Sequence, residues 1–343
     1  IERLEKLMER YPEKVALRHN AAYTNLLLGH ILRNKDLPAA ISHYRRAADL
    51  QPSNPASRIA LGESLASIRH EESRNEAIQV LEKLAADAPE NLDVRLALAT
   101  AYGKLAAIQS GPYEDRIPVT EKGLRIAQQL IEDHPGRLEF QRAYASAMIN
   151  LGHRLHTSGR KAEARPALEK ARSYCEQMAK DHPSDKECRR AYAVSLENLG
   201  DYFASEEEWS KAVELAREAI EVQPNEDDHW GNLGVALYRT GDFHAAAQTL
   251  EKARQMRAGK DLVQQFFLAM TYWQLGDMKK ARELYARAAA WFELRPSSGH
   301  IDLRSEAEEL LGLDAPGRAA LIEGYYTRSF LKNPTPQDLI DRG

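Results

Sequence analysis

The stretch "HWGNLGVALYRTGDFHAAAQTLEKA", from His229 to Ala253, indicates the fold of this chain of 343 residues. Its Gly234 is followed by Ala246 and Ala253, 12 and 19 residues later, and a Gly-Asp turn signal lies between them. A helix–turn–helix explains this spacing. The glycine lets the second helix cross the first closely, and the two alanines share one face of that second helix.

The same spacing recurs elsewhere in the chain. Asn-Leu-Gly ends at Gly152, Gly200 and Gly234, and alanines follow each glycine at the same two intervals. Ala269 keeps the register, and Leu28 stands where another small residue is expected. Recurrence at a nearly fixed period is typical of repeat architectures. It predicts that each of the three glycines admits a second helix at a close crossing.

The repeats predict an all-α fold, a right-handed α-solenoid of stacked helix pairs. Seven pairs are expected, at residues 13–52, 55–89, 92–135, 137–183, 185–224, 226–258 and 261–294. The predicted organisation is a second helix of a truncated repeat at 1–12, about seven repeats at 13–300, a capping helix at 301–313, and an atypical helix and tail at 314–343. Because the chain begins with Ile1, we expect that the true N-terminus is missing.

These residues resemble the tetratricopeptide repeat. The match lies in Trp230, Leu233, Gly234, Gly241, Ala246 and Ala253. The long units that end in Asp-His-Pro, at Pro135 and Pro183, are similar to kinesin-light-chain-type repeats. They are also similar to the arrays of planctomycete-type bacterial proteins, which often follow a serine/threonine kinase domain. The resemblance covers roughly residues 13–313 and implies a scaffold that binds other proteins.

Composition excludes several other classes of function. Lys and Arg total 47 against 51 Asp and Glu, and no basic stripe is evident, so we expect no nucleic-acid partner. The two cysteines predict no disulfide framework. No apolar stretch approaches the roughly 20 residues of a membrane helix, so no membrane insertion is expected. No secretory signal is visible, and a cytoplasmic location is expected.

Motifs for catalysis and cofactors are not found in the sequence. It contains no phosphate-binding glycine loop and no kinase, hydrolase or zinc-protease signature, so we predict no enzyme and no cofactor. His153 and His156 have a spacing that can hold a metal, but no third ligand matches them. A peptide contact or an ordinary solvated histidine pair explains them better, and no metal site is predicted.

The inner stripe of the first helices is the candidate binding surface. An asparagine amide is both donor and acceptor, so a ladder of Asn150, Asn198 and Asn232 could hold a peptide backbone. The alternative is that each asparagine bonds a neighbouring helix. The predicted groove residues are Asn150, Asn198, Asn232, His153, Asp201, Tyr238, Arg239 and Trp273, with Ile149, His156, Glu197, Gly231, Val235, Phe266, Met270 and Gln274 beside them.

Aromatic residues predict an apolar end to this groove. Trp273, Tyr238, Phe266 and Met270 would form either an open anchor or a surface covered by the capping helix or the tail with Tyr325, Tyr326 and Phe330. The main functional hypothesis is a non-enzymatic scaffold that binds a protein or peptide segment. The alternatives are a self-assembling structural module and a regulatory region of a larger kinase-containing protein.

Overall fold

The computed structural model describes residues 2–108, 113–256, 262–294 and 301–332. The chain divides into two compact units, Ile1–Ala191 and Tyr192–Gly343. Within the described ranges all regular secondary structure is helical. None of the helices in these ranges combines the length and apolarity that crossing a bilayer requires.

Unit 1, Ile1–Ala191, stacks successive helix pairs. α2 packs on α3, α4 on α5, α6 on α7 and α8 on α9, and α4 and α6 also contact the first helix of the following pair. The helices are α1 (Glu2–Arg10), α2 (Val15–Leu32), α3 (Leu37–Leu50), α4 (Pro55–Ser67), α5 (Glu71–Asp87), α6 (Leu92–Ile108), a 3₁₀ turn (Tyr113–Asp115), α7 (Arg116–Asp133), α8 (Leu138–Thr157), α9 (Lys161–Asp181) and the start of α10 (Lys186–Ser205).

Unit 2, Tyr192–Gly343, continues from within α10. α12 packs on α13 and α14 on α15, α12 also contacts α14, and the last two helices pack on α14 and α15. Its further helices are α11 (Trp209–Val222), α12 (Asp227–Arg239), α13 (Phe243–Met256), α14 (Leu262–Gln274), α15 (Met278–Leu294), α16 (Ile301–Leu310) and α17 (Ala315–Lys332). Each unit is therefore a stack of helix pairs, as an α-solenoid requires.

Two of the predicted glycine crossings are confirmed. A Cβ on Gly152 would lie 2.7 Å from Leu168 Cδ2, and one on Gly234 would lie 2.5 Å from Leu250 Cγ. Only glycine lets these helix backbones approach so closely. In the α2–α3 pair, the close contact between the two helices is between Gly29 and Tyr44. The expectation that Leu28 occupies this place is wrong by one residue.

The turns inside the helix pairs use a left-handed residue. Gly159, Gly241 and Gly276 have φ of 79°, 86° and 83°, a region that glycine enters without strain. In the α10–α11 pair the same place, five residues before the first repeat alanine, is taken by Glu207 with φ of 59°. A left-handed non-glycine residue is strained, so this pair departs from the others at its turn.

The end of unit 2 is covered by its own helices. Phe266 and Met270 are fully buried in a core that also contains Ala307 of α16, Leu311 directly after that helix, and Ile322 of α17. Of the two alternatives for this apolar end, the covered one is therefore correct for Phe266 and Met270. The side chain of Phe330, which was expected to share in the cover, lies outside the described residues.

Candidate functional site

One helix pair lacks the side chain that closes the others. Leu168 and Leu250 stand 16 residues after Gly152 and Gly234 and fill the crossing. The residue 16 after Gly200 is Ala216. A Cβ on Gly200 would meet only Leu215 Cβ, at 3.9 Å, an ordinary van der Waals distance. The prediction that Gly200 admits its second helix at a close crossing is therefore wrong.

A cavity of about 160 Å³ occupies the space between α10, α11 and α12. Its floor and walls are mostly small apolar groups, with Trp209 and Val263 at the margin. This composition follows from the repeat, because Ala216 stands at the position where other pairs carry the leucine that fills the gap. The apolar lining comprises Leu196, Gly200, Ala204, Trp209, Ala212, Ala216, Ala219, Val235, Ala236 and Val263, and the polar lining comprises Glu197, Asp201, His229 and Asn232.

Two carboxylates of α10 line this cavity. Glu197 and Asp201 are four residues apart and so lie on the same helix face. Asp201 keeps contact with solvent, but the surrounding walls partly desolvate its carboxyl. This desolvation and the charge of Glu197 raise the pKa of Asp201 to about 6. The cavity is therefore negatively charged above that pH.

A buried histidine of α12 completes the acidic side. His229 is only 3% exposed, and its Nδ1 lies 2.7 Å from Glu197 Oε1. A proton on Nδ1 donates to the carboxylate, and in the neutral ring Nε2 is then an acceptor. Nε2 is buried and has no hydrogen-bond partner among the described residues. An orphaned polar atom of this kind is costly in a folded protein.

The structure brings together only part of the predicted groove. Asp201 and the exposed Asn232 share the cavity, with Glu197 and Val235. Asn198 is half-buried on α10 and does not line the cavity. The three asparagines therefore do not share one environment.

The predicted residues of α8 belong to unit 1. The Nδ2 of Asn150 lies 3.5 Å from the place of a Cβ on Gly103 of α6, so the amide reaches the neighbouring first helix. It makes no side-chain hydrogen bond to another described residue. His153 is half-buried, and burial, with the charges of Arg154 and His156, lowers its pKa. Ile149, also expected in the groove, is buried.

The predicted residues near the end of α12 and on α14 are engaged within unit 2. Tyr238 is buried, with its ring 5.4 Å from that of Phe267. Arg239 forms a two-pronged ion pair with Glu306 of α16, at 2.6 and 2.7 Å. Trp273 is half-buried against the same core. The expectation that Tyr238 lines an open groove is corrected, because it is buried at this end. Arg239 stays exposed and is paired with Glu306.

Among the cavity residues that were not predicted to line the groove, two shape the site most. His229 belongs to the repeat match but was not expected to reach a neighbouring helix. Ala216 was not noticed, although the sequence carries its signal: the position that holds Leu168 and Leu250 holds alanine here. No group of three His, Cys, Asp or Glu side chains within the described ranges could hold a metal ion.

Comparison with protein families agrees with the geometry. Models described as tetratricopeptide repeat match residues 145–184, 197–261 and 265–293. The chain is a tetratricopeptide repeat protein. The first matched segment runs from within α8 to beyond the end of α9, and the second runs from within α10 through α11, α12 and α13. No curated protein matches the chain.

Solved structures show the same fold. A tetratricopeptide repeat protein from Parabacteroides merdae ATCC 43184 is 14% identical and superposes over 85% of this chain and 99% of its own, with a TM-score of 0.50. BtubC (BKLC) from P. vanneervenii is 20% identical, over 64% of this chain and 89% of its own, with a TM-score of 0.52. These likenesses confirm the predicted all-α solenoid of stacked tetratricopeptide helix pairs.

The family also indicates the general type of function. Tetratricopeptide repeats form protein–protein interaction scaffolds, which are generally not enzymes. Their stacked first helices present extended surfaces to partners. The location of a binding surface in this tetratricopeptide repeat protein is a separate question.

Proposed function

We propose that this tetratricopeptide repeat protein binds an extended segment of a partner protein on the first-helix face of unit 2, with the cavity as its central contact. The observation that carries the proposal is the cavity itself, where Ala216 replaces the leucine of other pairs. A concave, mostly apolar pocket with a few polar groups at its edge is the usual form of a binding site. A single partner side chain would enter it.

Asn232 is placed to hold the backbone of that segment. Its amide is exposed at the edge of the cavity and can both donate to a carbonyl and accept from an N–H. Asn198, half-buried on α10, would add a second such contact, and Asn150 would act in the same way in unit 1. This is the part of the asparagine-ladder hypothesis that we retain.

Filling the cavity tests the proposal. Peptides selected from a random display library on the wild-type chain would be measured against Ala216→Leu by fluorescence anisotropy. The substitution installs the leucine that other pairs carry, so the fold should persist, and affinity should fall at least about tenfold, equal to about 1.4 kcal/mol. Ser210→Leu, on the exposed side of α11, adds the same side chain away from the cavity and is the control.

One result would contradict the proposal. If Ala216→Leu binds the selected peptides as tightly as the Ser210→Leu control, the cavity is not the contact. Circular dichroism of both variants would verify that helicity is unchanged.

The asparagines have their own test. Replacing Asn150, Asn198 and Asn232 together with alanine should weaken the binding of the same peptides by at least about tenfold, since each of the three lost hydrogen bonds contributes about 0.5–1.5 kcal/mol. The melting temperature should change little, because Asn198 and Asn150 are only half-buried and Asn232 is exposed. Unchanged affinity would remove the asparagines from the binding surface.

Self-association is the second candidate, and one surface of unit 1 favours it. Tyr23, Leu27 and Ile31 lie four residues apart on α2 and are 62%, 43% and 62% exposed. An apolar stripe of this kind often marks an interaction surface, and a stripe can pair with its own copy about a twofold axis. Sedimentation across a wide concentration range, compared with Ile31→Glu, tests this. A wild-type chain that stays monomeric throughout would exclude self-association.

A further inference from the structure

The cavity of unit 2 is lined by two carboxylates, and no Lys or Arg within the described ranges pairs with them. Neither Glu197 nor Asp201 forms an ion pair with a Lys or Arg of the described chain, although such pairs are frequent elsewhere, as at Arg239 and Glu306. Like charges four residues apart on a helix repel. A cation supplied by a partner would relieve this repulsion.

His229 supplies a second, independent observation about this cavity. Its ring is 97% buried, since only 3% is exposed, and it lines the cavity. Nδ1 is occupied by Glu197, whereas Nε2 has no partner within the described part of the chain. Because that nitrogen has almost no accessible surface, the acceptors offered to a donor in the cavity are the two carboxylates.

The remaining walls suit an aliphatic chain. Ala204, Ala212, Ala216 and Ala219 offer methyl groups and no hydrogen-bonding side chain. A group that is charged at one end and apolar along its length would satisfy both parts of the site. Long basic side chains bind in this way, with the methylene stem on apolar surface and the charged head near water or acidic groups.

We propose that the cavity binds a lysine side chain of the partner segment, with its ammonium group at Glu197 and Asp201 and its methylene stem on the alanines of α10 and α11. This inference rests on the proposed function, because the lysine belongs to the segment bound by unit 2. An ammonium group has three donors and no acceptor, which matches the acceptors of the site. His229 fixes the orientation of Glu197 through their hydrogen bond.

Lysine fits this site better than arginine or a metal ion. The rigid guanidinium fork needs a planar pair of acceptors, whereas a compact ammonium group can rotate to reach separate ones. The cavity residues do not form a group that could hold a metal ion, nor do any others within the described ranges. Glu197 and His229 are the titratable groups that line the cavity beside Asp201; α11 and α14 contribute only uncharged side chains to it.

Nuclear magnetic resonance of the whole chain, labelled on alanine methyl groups, tests the inference. The probes are Nα-acetyl-lysine methylamide and its norleucine analogue, which keeps a four-carbon side chain and lacks the ammonium group. The lysine probe should shift the methyl signals of Ala212 and Ala216 and bind about tenfold more tightly than the norleucine probe. Asp201→Asn should remove this preference while leaving norleucine binding unchanged.

Two outcomes would overturn the inference. Equal binding of the two probes would show that the cavity accepts an apolar side chain without regard to charge, and the proposed function would stand. Absence of methyl shifts with both probes would exclude lysine as the occupant. The proposed function fails separately, if Ala216→Leu leaves the affinity of the library-selected peptides unchanged, so the two failures can be told apart.

Discussion

The helix pairs α10–α11 and α12–α13 follow the same sequence pattern but end in different packing. In α12–α13, Leu250 is fully buried and presses against Gly234. In α10–α11, Ala216 leaves Gly200 uncovered and a cavity of about 160 Å³ beside it. The side chain at this position therefore decides whether the crossing is filled. The helix backbones do not move together to close the space that a smaller side chain leaves.

The largest expected effect comes from opening the closed pair. Leu250→Ala removes a fully buried leucine and should lower the free energy of unfolding by about 3 kcal/mol, the usual cost of a new cavity. Urea denaturation followed by circular dichroism would measure it. A loss below about 1 kcal/mol would show that the pair collapses and that the cavity of α10–α11 is not simply the result of a missing leucine.

Equivalent glycines should respond with opposite signs. Gly234→Ala places a methyl group 2.5 Å from Leu250 Cγ and 3.2 Å from the Leu250 backbone nitrogen, so we expect a loss of about 2 kcal/mol from overpacking. Gly200→Ala meets no close contact and should gain about 0.5–1 kcal/mol, because alanine favours a helix over glycine. Thermal melts of both variants measure the two changes in stability. If both changes had the same sign, the two helix pairs would not differ in packing as described.

The charge of the open pair should make stability depend on pH. The folded pKa of Asp201, about 6, lies above its ordinary value of 3.8, so the folded state binds the proton more tightly than the unfolded chain does. The contribution of Asp201 to the free energy of unfolding is therefore favourable at low pH and is lost as the pH rises through about 6. Asp201→Asn should therefore be more stable than wild type at pH 7.5 by about 1 kcal/mol, since solvent contact weakens the penalty.

The wild-type chain and Asp201→Asn should have the same stability at low pH. Below the unfolded pKa, Asp201 is protonated in both states and the difference should vanish. Urea midpoints at several pH values, with the exposed Glu214→Gln as a control, would test this. A constant difference across pH would assign the effect to packing rather than charge.

The smallest effect concerns the turn of the open pair. Glu207 adopts the left-handed conformation that Gly159, Gly241 and Gly276 adopt in other pairs. Glu207→Gly should stabilise the chain by about 0.5–1 kcal/mol, because the left-handed strain of about 1–2 kcal/mol is partly offset by the entropy of glycine in the unfolded state. Thermal denaturation would detect the change, and a destabilised variant would show that Glu207 makes contacts that outweigh its strain.

Most of the fold was readable from local patterns. The spacing of Gly152 and Gly234 to their following alanines predicted the helix crossings, and Gly-Asp predicted a turn. In the structure, Asp242 and Asp277 of these turns also accept hydrogen bonds from the backbone of the helices that follow. These features depend on residues close together in sequence. The buried state of Tyr238 was missed because it depends on α14 and on the helices at the end of the chain.

The candidate site was only partly predictable for the same reason. Asp201 and Asn232 were expected on the inner stripe, and they do line the cavity. The contact of His229 with Glu197 joins residues 32 positions apart, and no periodicity predicts it. The choice between an open groove and a covered one at Trp273 also required the position of α16.

By itself, the sequence determined that the chain is all-helical, where its helix pairs turn, and which positions carry the small residues that let helices cross. The tertiary structure alone decided that Gly200 faces a cavity, that two carboxylates and a buried histidine line it, and that Arg239 pairs with Glu306. The physical reason is that helix formation and turn geometry are set by neighbours along the chain. Cavities, pKa shifts and ion pairs depend on which side chains distant segments bring together, and a repeat whose side chains vary can close one crossing and leave the next open.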